Sequence, residues 1–292
     1  MGIATSQQLT RYYDQYRDRE VIFNKDIIRS LKLDPRQIQI KYTVGSDVQL
    51  CPCIVNSTSF QKAKIILNTK TDAFECLVGK EPPSVQLKFA FFQDDGQLVT
   101  FFVSTKVAEK QLLQGAGDLA LITLQYTQRP PDDLIEIVGR MLEANTNAVR
   151  RKEERIVINE DSKRKLGLVK EECVLVVQGV PRHCIIRDLS FSGAKVFLVG
   201  IPHFMTNKEA ELKMNYTDPD EVVMVKGMIM SAEPIEGRKD ICAASIKFDE
   251  NQVPLSYKLH INNYLTTVRK AQLSASDQIA AQRAAAAQSQ QQ

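Results

Sequence analysis

The stretch Asp188-Leu189-Ser190-Phe191-Ser192-Gly193 decides the fold, together with Arg150-Arg151-Lys152-Glu153-Glu154-Arg155, from which it is separated by 32 residues. Each stretch alone has an ordinary explanation. Six charged residues in a row are typical of a solvated helix end or linker, and Asp-x-Ser-x-x-Gly is typical of a turn that closes a hairpin. In this order, with strand-rich sequence between them, the two stretches together indicate one binding pocket.

The side chains of these stretches suit a nucleotide. Guanidinium groups pair with phosphate oxygens or with O6 and N7 of guanine, and they stack on bases. Arg151 and Arg155 are four residues apart, so they share a face of a helical turn or close on a ligand from two sides of a flexible segment. Asp188 can accept from guanine N–H donors, Ser190 offers a hydroxyl, and Gly193 permits a positive φ or a close backbone approach to a ligand. The pattern predicts a pocket for an anionic guanine nucleotide.

The two stretches resemble the signature of the PilZ family of cyclic di-GMP receptors, which is Arg-x-x-x-Arg, a strand-rich spacer, and Asp/Asn-x-Ser-x-x-Gly. The matching residues are Arg151, Arg155, Asp188, Ser190 and Gly193. The resemblance covers residues 148–270 and includes strands at 194–199 and 243–248. The spacer of 32 residues is long for the family, and the extra length is expected in a surface loop at 163–167.

The resemblance implies that a mobile arginine segment wraps over a ligand that the Asp-x-Ser-x-x-Gly turn holds on a barrel. Arg150, just before the motif, is a candidate for a further guanine or phosphate contact, and members with an arginine there can take the nucleotide as a stacked dimer. Upstream, the chain is similar to the two-domain members of the PlzA type, in which a degenerate PilZ-like barrel precedes the binding domain. Cyclic di-GMP is the expected ligand, and no cofactor is expected.

The expected fold class is mainly β, with two small antiparallel barrels of the split-barrel type and peripheral helices. The expected organisation is a helical arm at 1–36, a PilZ-like barrel at 37–129, an interdomain helix and linker at 130–149, a PilZ domain with a closing helix at 150–270, and an Ala/Gln-rich tail at 271–292. Short apolar runs predict the strands of the first barrel at 38–43, 48–54, 63–67, 85–92, 98–107 and 119–126. Those of the second barrel are predicted at 156–158, 173–178, 183–188, 194–199, 211–215, 222–232 and 241–248.

Apolar spacing predicts helices at 6–30 and 255–270, and a helix that begins after Pro130-Pro131-Asp132-Asp133 and delivers the chain to the arginines at the domain junction. The tail cannot bury a hydrophobic core, and its composition indicates disorder or a frayed helix. Five phenylalanines of the first barrel could form a stacking platform for single-stranded nucleic acid. They lack interleaved arginines, which favours core packing. They are Phe89, Phe91, Phe92, Phe101 and Phe102.

Composition bounds the function. The net charge of +3 is too small to identify a partner, but the basic residues cluster at 150–170, which points to a local anion site. The six cysteines form no Cys-x-x-Cys pair and have no metal-ligand spacing to the three histidines, so reduced thiols and no metal are expected. The sequence shows no apolar span and no signal core, which predicts a cytoplasmic protein. It also shows no catalytic constellation, which predicts a receptor and not an enzyme.

Three functions remain open. In the first, cyclic di-GMP fixes residues 144–155, reorients the two barrels and changes the binding of an unidentified protein partner, with motility or virulence as outputs. In the second, the basic residues at 150–170 contact nucleic-acid phosphates. In the third, the chain is an interaction scaffold with a vestigial motif.

Overall fold

The computed structural model describes residues 4–79, 82–93, 96–113, 115 and 117–289. The chain forms two compact units, Met1–Glu143 and Ala144–Gln292. They are called unit 1 and unit 2 below, and each is described by itself. Within the described residues, no helix is long and apolar enough to cross a membrane.

The first three α-helices of unit 1 begin at side-chain caps. They are α1 (Ser6–Tyr16), α2 (Lys25–Ser30) and α3 (Asp72–Val78), and the capping oxygens belong to Thr5, Asn24 and Thr71. The prediction of one helix over 6–30 is wrong, because the two-residue strand β1 (Val21–Ile22) lies between α1 and α2 and pairs in the sheet. Its buried Val21 packs inward, so tertiary contacts override the helical spacing.

Unit 1 contains a barrel that closes through a bent strand. Its strands are β1, β2 (Gln39–Val44), β3 (Asp47–Pro52), β4 (Ile54–Thr58), β5 (Lys62–Asn68), β6 (Val85–Phe92), β7 (Leu98–Leu112) and β8 (Leu119–Tyr126). Their order is β1-β4-β5-β8-β7-β6-β2-β3. Only Cys53 separates β3 from β4, so one bent strand pairs first with β2 and then with β5. The single predicted strand at 48–54 is therefore two strands that meet at a corner.

The phenylalanines of β6 and β7 divide between the core and the surface. Phe89, Phe91 and Phe101 are buried and stack with centroid distances of 5.8–6.2 Å, which confirms core packing for these three. Phe92 and Phe102 are 39% and 42% exposed. The strand alternation places them on the outer face of the barrel.

Helix α4 (Asp132–Arg150) begins with two aspartates and carries the predicted apolar face. Five of its residues are buried, namely Leu134, Ile135, Val138, Met141 and Leu142. A Cβ at Gly139 would lie 2.5 Å from the Tyr12 ring, so only glycine lets α1 pack this closely. The Tyr12 hydroxyl donates to Glu143 over 3.0 Å. This contact and the close approach at Gly139 hold α1 against α4.

Unit 2 is an antiparallel barrel, as predicted. Its strands are β9 (Ile156–Val157), β10 (Glu172–Val177), β11 (Val180–Leu189), β12 (Gly193–Val199), β13 (Glu209–Thr217), β14 (Asp220–Ile235) and β15 (Arg238–Phe248). Their order is β10-β13-β14-β15-β12-β11-β9, and β10 also pairs with β11, which closes six strands into a ring. Helices α5 (Glu160–Leu166), α6 (Pro202–Met205) and α7 (Leu255–Ser289) surround it. The core includes Tyr216, Phe248 and Tyr257.

In unit 2 the spacer segment differs from prediction, and the tail is helical, which is one of its two expected states. The expected loop at 163–167 belongs to α5, which Asn159 caps at the start and Gly167, with φ 71°, ends at the last turn. Its Leu166 is buried, so the extra length of the spacer is a packed helix. The tail predicted to be disordered or a frayed helix continues α7 through Ser289, and residues 290–292 lie outside the described part of the chain.

The two units repeat one strand-pairing pattern. In unit 1, β1 pairs with β4 through Val21 and Thr58, and β4 pairs with β5 through Ser57 and Lys64. In unit 2, β9 pairs with β11 through Ile156 and Leu189, and β11 pairs with β12 through Asp188 and Lys195. The β4–β5 and β11–β12 pairings contain a register shift at the same place, between Val55 and Ser57 in unit 1 and between Ile186 and Asp188 in unit 2. The registers therefore set Ser57 equivalent to Asp188 and Lys64 to Lys195.

The elements around this pattern also correspond. Helices α2 and α5 follow the first strand of their units, and asparagine caps both. A residue with positive φ follows each helix, Lys32 at 54° two residues after α2 and Gly167 at 71° directly after α5. The next residue in each unit, Leu33 or Leu168, forms an isolated antiparallel bridge to the barrel. Unit 1 is thus a structural repeat of unit 2.

Candidate functional site

The arginine segment, residues 150–155, follows the end of α4 in unit 2. Arg150 is the exposed last residue of the helix, residues 151–153 form a turn, and Arg155 lies directly before β9. The Arg151 guanidinium is 3.9 Å from the Glu154 carboxylate. Because the helix ends before Arg151, the two motif arginines do not share a helical face. Of the two predicted geometries, only the non-helical segment is compatible with this structure.

The site turn, residues 188–193, is held by its own hydroxyl. Ser190 is buried, its Oγ accepts from the Gly193 N–H over 3.1 Å, and its own N–H donates to the Gly193 carbonyl over 2.8 Å. The Tyr257 hydroxyl donates to the Ser190 carbonyl over 2.7 Å. Burial raises the pKa of Tyr257 well above its ordinary value, so this donor stays protonated. The Ser190 hydroxyl and carbonyl are therefore both occupied by contacts within the protein.

Gly193 is required by a close approach of two strands. A Cβ at this position would lie 2.3 Å from the Ile246 carbonyl oxygen on β15, closer than real contacts allow. Gly193 is not among the positive-φ glycines of the described residues. Of the two expected reasons for glycine here, the positive φ is not observed, and the close approach that glycine permits is to the neighbouring strand.

The two motifs meet at a charged pair. The Arg155 Nη1 donates to the Asp188 Oδ1 over 2.5 Å, with the arginine side chain 45% exposed and the aspartate 14% exposed. The register explains this contact, because Asp188 is the Cα partner of Val157, which lies two residues after Arg155. Arg155 and Asp188 thus form one site. Within the described residues, Arg150 and Arg151 make no hydrogen bond or ion pair to the site turn.

Residues outside the motif dock the arginine segment on the turn. The Ser192 Oγ donates to the Lys152 carbonyl over 3.0 Å and lies 3.2 Å from the Glu153 carboxylate. Lys152 pairs with Glu250, which raises the pKa of the lysine and lowers that of the glutamate. Sequence reasoning missed Ser192, Lys152 and Glu250. The first two lie inside the quoted stretches, but nothing in the sequence connects Glu250 to them.

Unit 1 contains the equivalent turn, residues 57–62, with the same internal bonds. Ser59 is buried, its Oγ accepts from the Lys62 N–H over 3.2 Å, and its N–H donates to the Lys62 carbonyl over 2.8 Å. The charges around the turn differ. Ser57 stands in place of Asp188, and Glu20, one residue before β1, stands in place of Arg155.

The equivalent contacts of unit 1 are also short. The Ser57 hydroxyl donates to the Glu20 carboxylate over 2.5 Å, and the Lys64 ammonium is 2.9 Å from the same carboxylate. Both bonds stabilise the charged form and lower the pKa of Glu20. Unit 1 thus has an acid at the position where unit 2 has its pairing arginine.

Comparison with known proteins agrees with this division. Residues 7–145 match the PilZN3 domain, and residues 149–266 match the PilZ domain. A "Cyclic di-GMP binding protein" of Treponema denticola is 44% identical over 272 residues, covering 92% of this chain and 85% of that protein.

Two solved structures are similar over most of their length. The Borreliella burgdorferi PlzA protein in complex with c-di-GMP is 23% identical, with a TM-score of 0.37, covering 89% of this chain and 98% of that one. Escherichia coli YcgR in complex with c-di-GMP is 14% identical, with a TM-score of 0.29, covering 91% of this chain and 98% of that one. On the two domain matches and the Treponema relative, the chain belongs to the PilZ family, as a member that joins an amino-terminal PilZN3 domain to a carboxy-terminal PilZ domain.

Proposed function

We propose that this protein is a receptor that binds cyclic di-GMP between the arginine segment and the site turn of unit 2. The observation that carries the proposal is the contact between Arg155 and Asp188, which joins the two halves of the motif across 32 residues of sequence. The name of the Treponema relative supports the same ligand. The turn side of the site is held by internal contacts of Ser190, Gly193 and Tyr257.

The residues divide into binding and supporting roles. Arg151 and Arg155 would pair with the phosphates and stack on the guanines, and the exposed Arg150 would add a further contact. Asp188 would accept from guanine N–H donors. Ser190 and Gly193 would act by holding the turn in shape, since both are buried in its internal bonding.

The bond between Arg155 and Asp188 does not prevent binding. A partly exposed ion pair is worth about 0–1 kcal/mol, whereas a hydrogen bond to a charged group is worth about 1.5–3 kcal/mol. A ligand with two phosphates and two guanines can replace the pair by several such bonds. Both partners of the pair then contact the nucleotide.

Calorimetric titration with cyclic di-GMP tests the proposal and also gives the number of nucleotides in each site. Arg155→Ala should weaken binding by at least about tenfold, because one charge-assisted contact is lost. Arg164→Ala is a matched control, since Arg164 is an exposed arginine of unit 2 that pairs with Asp161 on α5. Failure of the wild-type protein to bind, or equal binding by both variants, would refute the proposed site.

We propose further that ligation changes the arrangement of the two units and thereby the binding of a protein partner. The arginine segment directly continues α4, and α4 crosses the division between the units at Glu143 and Ala144. Fixing the segment therefore acts on an element that both units share. X-ray scattering profiles that superimpose with and without the nucleotide would contradict this step.

Nucleic-acid binding through the basic residues at 150–170 receives no support from the contacts. Lys163 pairs with Glu160, and Arg164 and Lys165 both pair with Asp161, so each basic residue of α5 already has an acidic partner on the same helix. The two functions remain separable by experiment. Nucleic-acid binding would survive Asp188→Ala and fall steeply with salt.

A further inference from the structure

Lys195 lies beside the candidate site without belonging to the family motif. It follows Gly193 by two residues on β12, and it is the Cα partner of Asp188 on β11. Directly opposed residues of antiparallel strands present their side chains on the same face. Lys195 is half-buried and makes no ion pair within the described residues. Its ammonium therefore belongs to the same face as the carboxylate that Arg155 contacts.

Unit 1 shows how far a lysine at this position reaches. Lys64 has the same register, opposite Ser57, and its Nζ is 2.9 Å from one oxygen of Glu20 and 3.2 Å from the other. Glu20 stands at the position of Arg155. A lysine at this register position can therefore contact an oxyanion at the position of the residue that precedes the first strand of its unit.

The charges at this point differ between the units. In unit 1, the Glu20 carboxylate and the Lys64 ammonium balance each other, and Ser57 is neutral. In unit 2, Arg155 and Lys195 provide two positive charges against the single charge of Asp188. Of the nearby acids, Glu250 pairs with Lys152, and Glu153 accepts a hydrogen bond from the neutral Ser192 hydroxyl, so neither forms an ion pair with Arg155 or Lys195 in the part of the chain that the structure describes. Unit 1 carries its own anion beside Lys64, whereas the equivalent position of unit 2 holds Arg155 and leaves Lys195 available to an external anion.

We infer that Lys195 is a phosphate-binding residue of the site, and that it holds a phosphate oxygen of the ligand as Lys64 holds the Glu20 carboxylate. This inference rests on the proposed binding of cyclic di-GMP. It adds a residue that the Arg-x-x-x-Arg and Asp-x-Ser-x-x-Gly motifs do not contain. It also assigns the Glu20 carboxylate of unit 1 as an internal counterpart of the bound phosphate.

Titration of cyclic di-GMP into the full chain at low and at physiological salt tests the inference. Lys195→Met keeps the apolar stem of the half-buried side chain and removes its charge, and Lys195→Arg keeps the charge. The Met variant should bind about 10- to 100-fold more weakly, the range for one charge-assisted hydrogen bond. Its affinity should also depend less on salt, because one charge contact with phosphate is lost. The Arg variant should bind within about threefold of wild type, since it preserves the charge.

Lys213→Met is the matched control, because Lys213 is an exposed lysine of β13, the strand opposite β12 in the ring. Equal affinities and salt dependences for wild type, Lys195→Met and Lys213→Met would overturn the inference and leave the proposed function intact. No binding by the wild-type protein would instead refute the proposed function, and the inference with it. If the Lys195→Met variant does not fold, the Lys195→Gln variant takes its place and its affinity and salt dependence are compared with those of wild type and Lys213→Met.

Discussion

The turns at 57–62 and 188–193 share their backbone bonds and differ in their charges. In both, a buried serine, Ser59 or Ser190, joins the backbone of the residue three positions later. The acid Glu20 faces the first turn, and the base Arg155 faces the second. The serine therefore maintains the shape of the turn in both units, and the charged residues around it are those that the proposed binding would use. The motif therefore contains residues that maintain the turn as well as residues that are proposed to bind the ligand.

The strongest test of this comparison converts the turn of unit 2 into that of unit 1. Arg155→Glu with Asp188→Ser should leave the fold intact, because the introduced carboxylate could pair with Lys195 as Glu20 pairs with Lys64. Binding of cyclic di-GMP should fall by at least about 100-fold, since two charge-assisted contacts of about 1.5–3 kcal/mol each are lost. Calorimetry measures the affinity, and thermal unfolding shows whether the variant is folded.

The reverse exchange in unit 1 is the control. Glu20→Arg with Ser57→Asp should change neither the affinity nor the stoichiometry, because Tyr16, buried in unit 1, stands at the position of Arg151. A second nucleotide bound by this variant would show that the charge exchange alone separates the two turns. Retained binding by the unit 2 exchange would break the comparison.

The next largest effect concerns Gly193 and its counterpart Lys62. Gly193→Ala should destabilise unit 2 by about 3 kcal/mol, because its Cβ would overlap the Ile246 carbonyl and force the strands apart. Lys62→Ala should change the free energy of unfolding by less than about 0.5 kcal/mol, since unit 1 already accommodates a Cβ at this position. Urea denaturation measures both. Similar values for the two variants would contradict the role assigned to Gly193.

The sequence was sufficient to predict both barrels, because β6 and β8 begin and end where the apolar runs do. The two halves of the site could also be paired from the motif. The corner at Cys53 and the strand β1 could not be predicted, since each depends on which distant strand is the neighbour. The role of Glu250 depends on a contact with Lys152 across 98 residues, and only the fold creates it.

Both serines should affect stability, but only Ser190 should affect binding. Ser190→Ala leaves the Gly193 N–H without its acceptor, and Ser59→Ala leaves the Gln61 and Lys62 N–H groups without theirs, at a cost of about 1–2 kcal/mol for each N–H. Only Ser190→Ala should also weaken cyclic di-GMP binding, because it loosens the turn that carries Asp188. Urea denaturation and calorimetry of both variants check this expectation. Weaker binding in the Ser59 variant would show that unit 1 contributes to the site.

The smallest expected effect is the pH dependence that Glu20 gives to unit 1. The Ser57 hydroxyl and the Lys64 ammonium lower the pKa of Glu20 from its ordinary value near 4.5, so the folded state favours the charged form. The stabilisation is therefore present above that ordinary value and is lost as the pH falls through the lower folded value. For a partly exposed pair it should be below about 1 kcal/mol. Urea denaturation should show Glu20→Gln destabilised at about pH 7, with the difference from wild type shrinking as the pH falls below the ordinary value of the Glu20 pKa. The exposed Glu109→Gln is the control, and a difference for Glu20→Gln that persisted in acid would mean that the side chain acts by packing and not by charge.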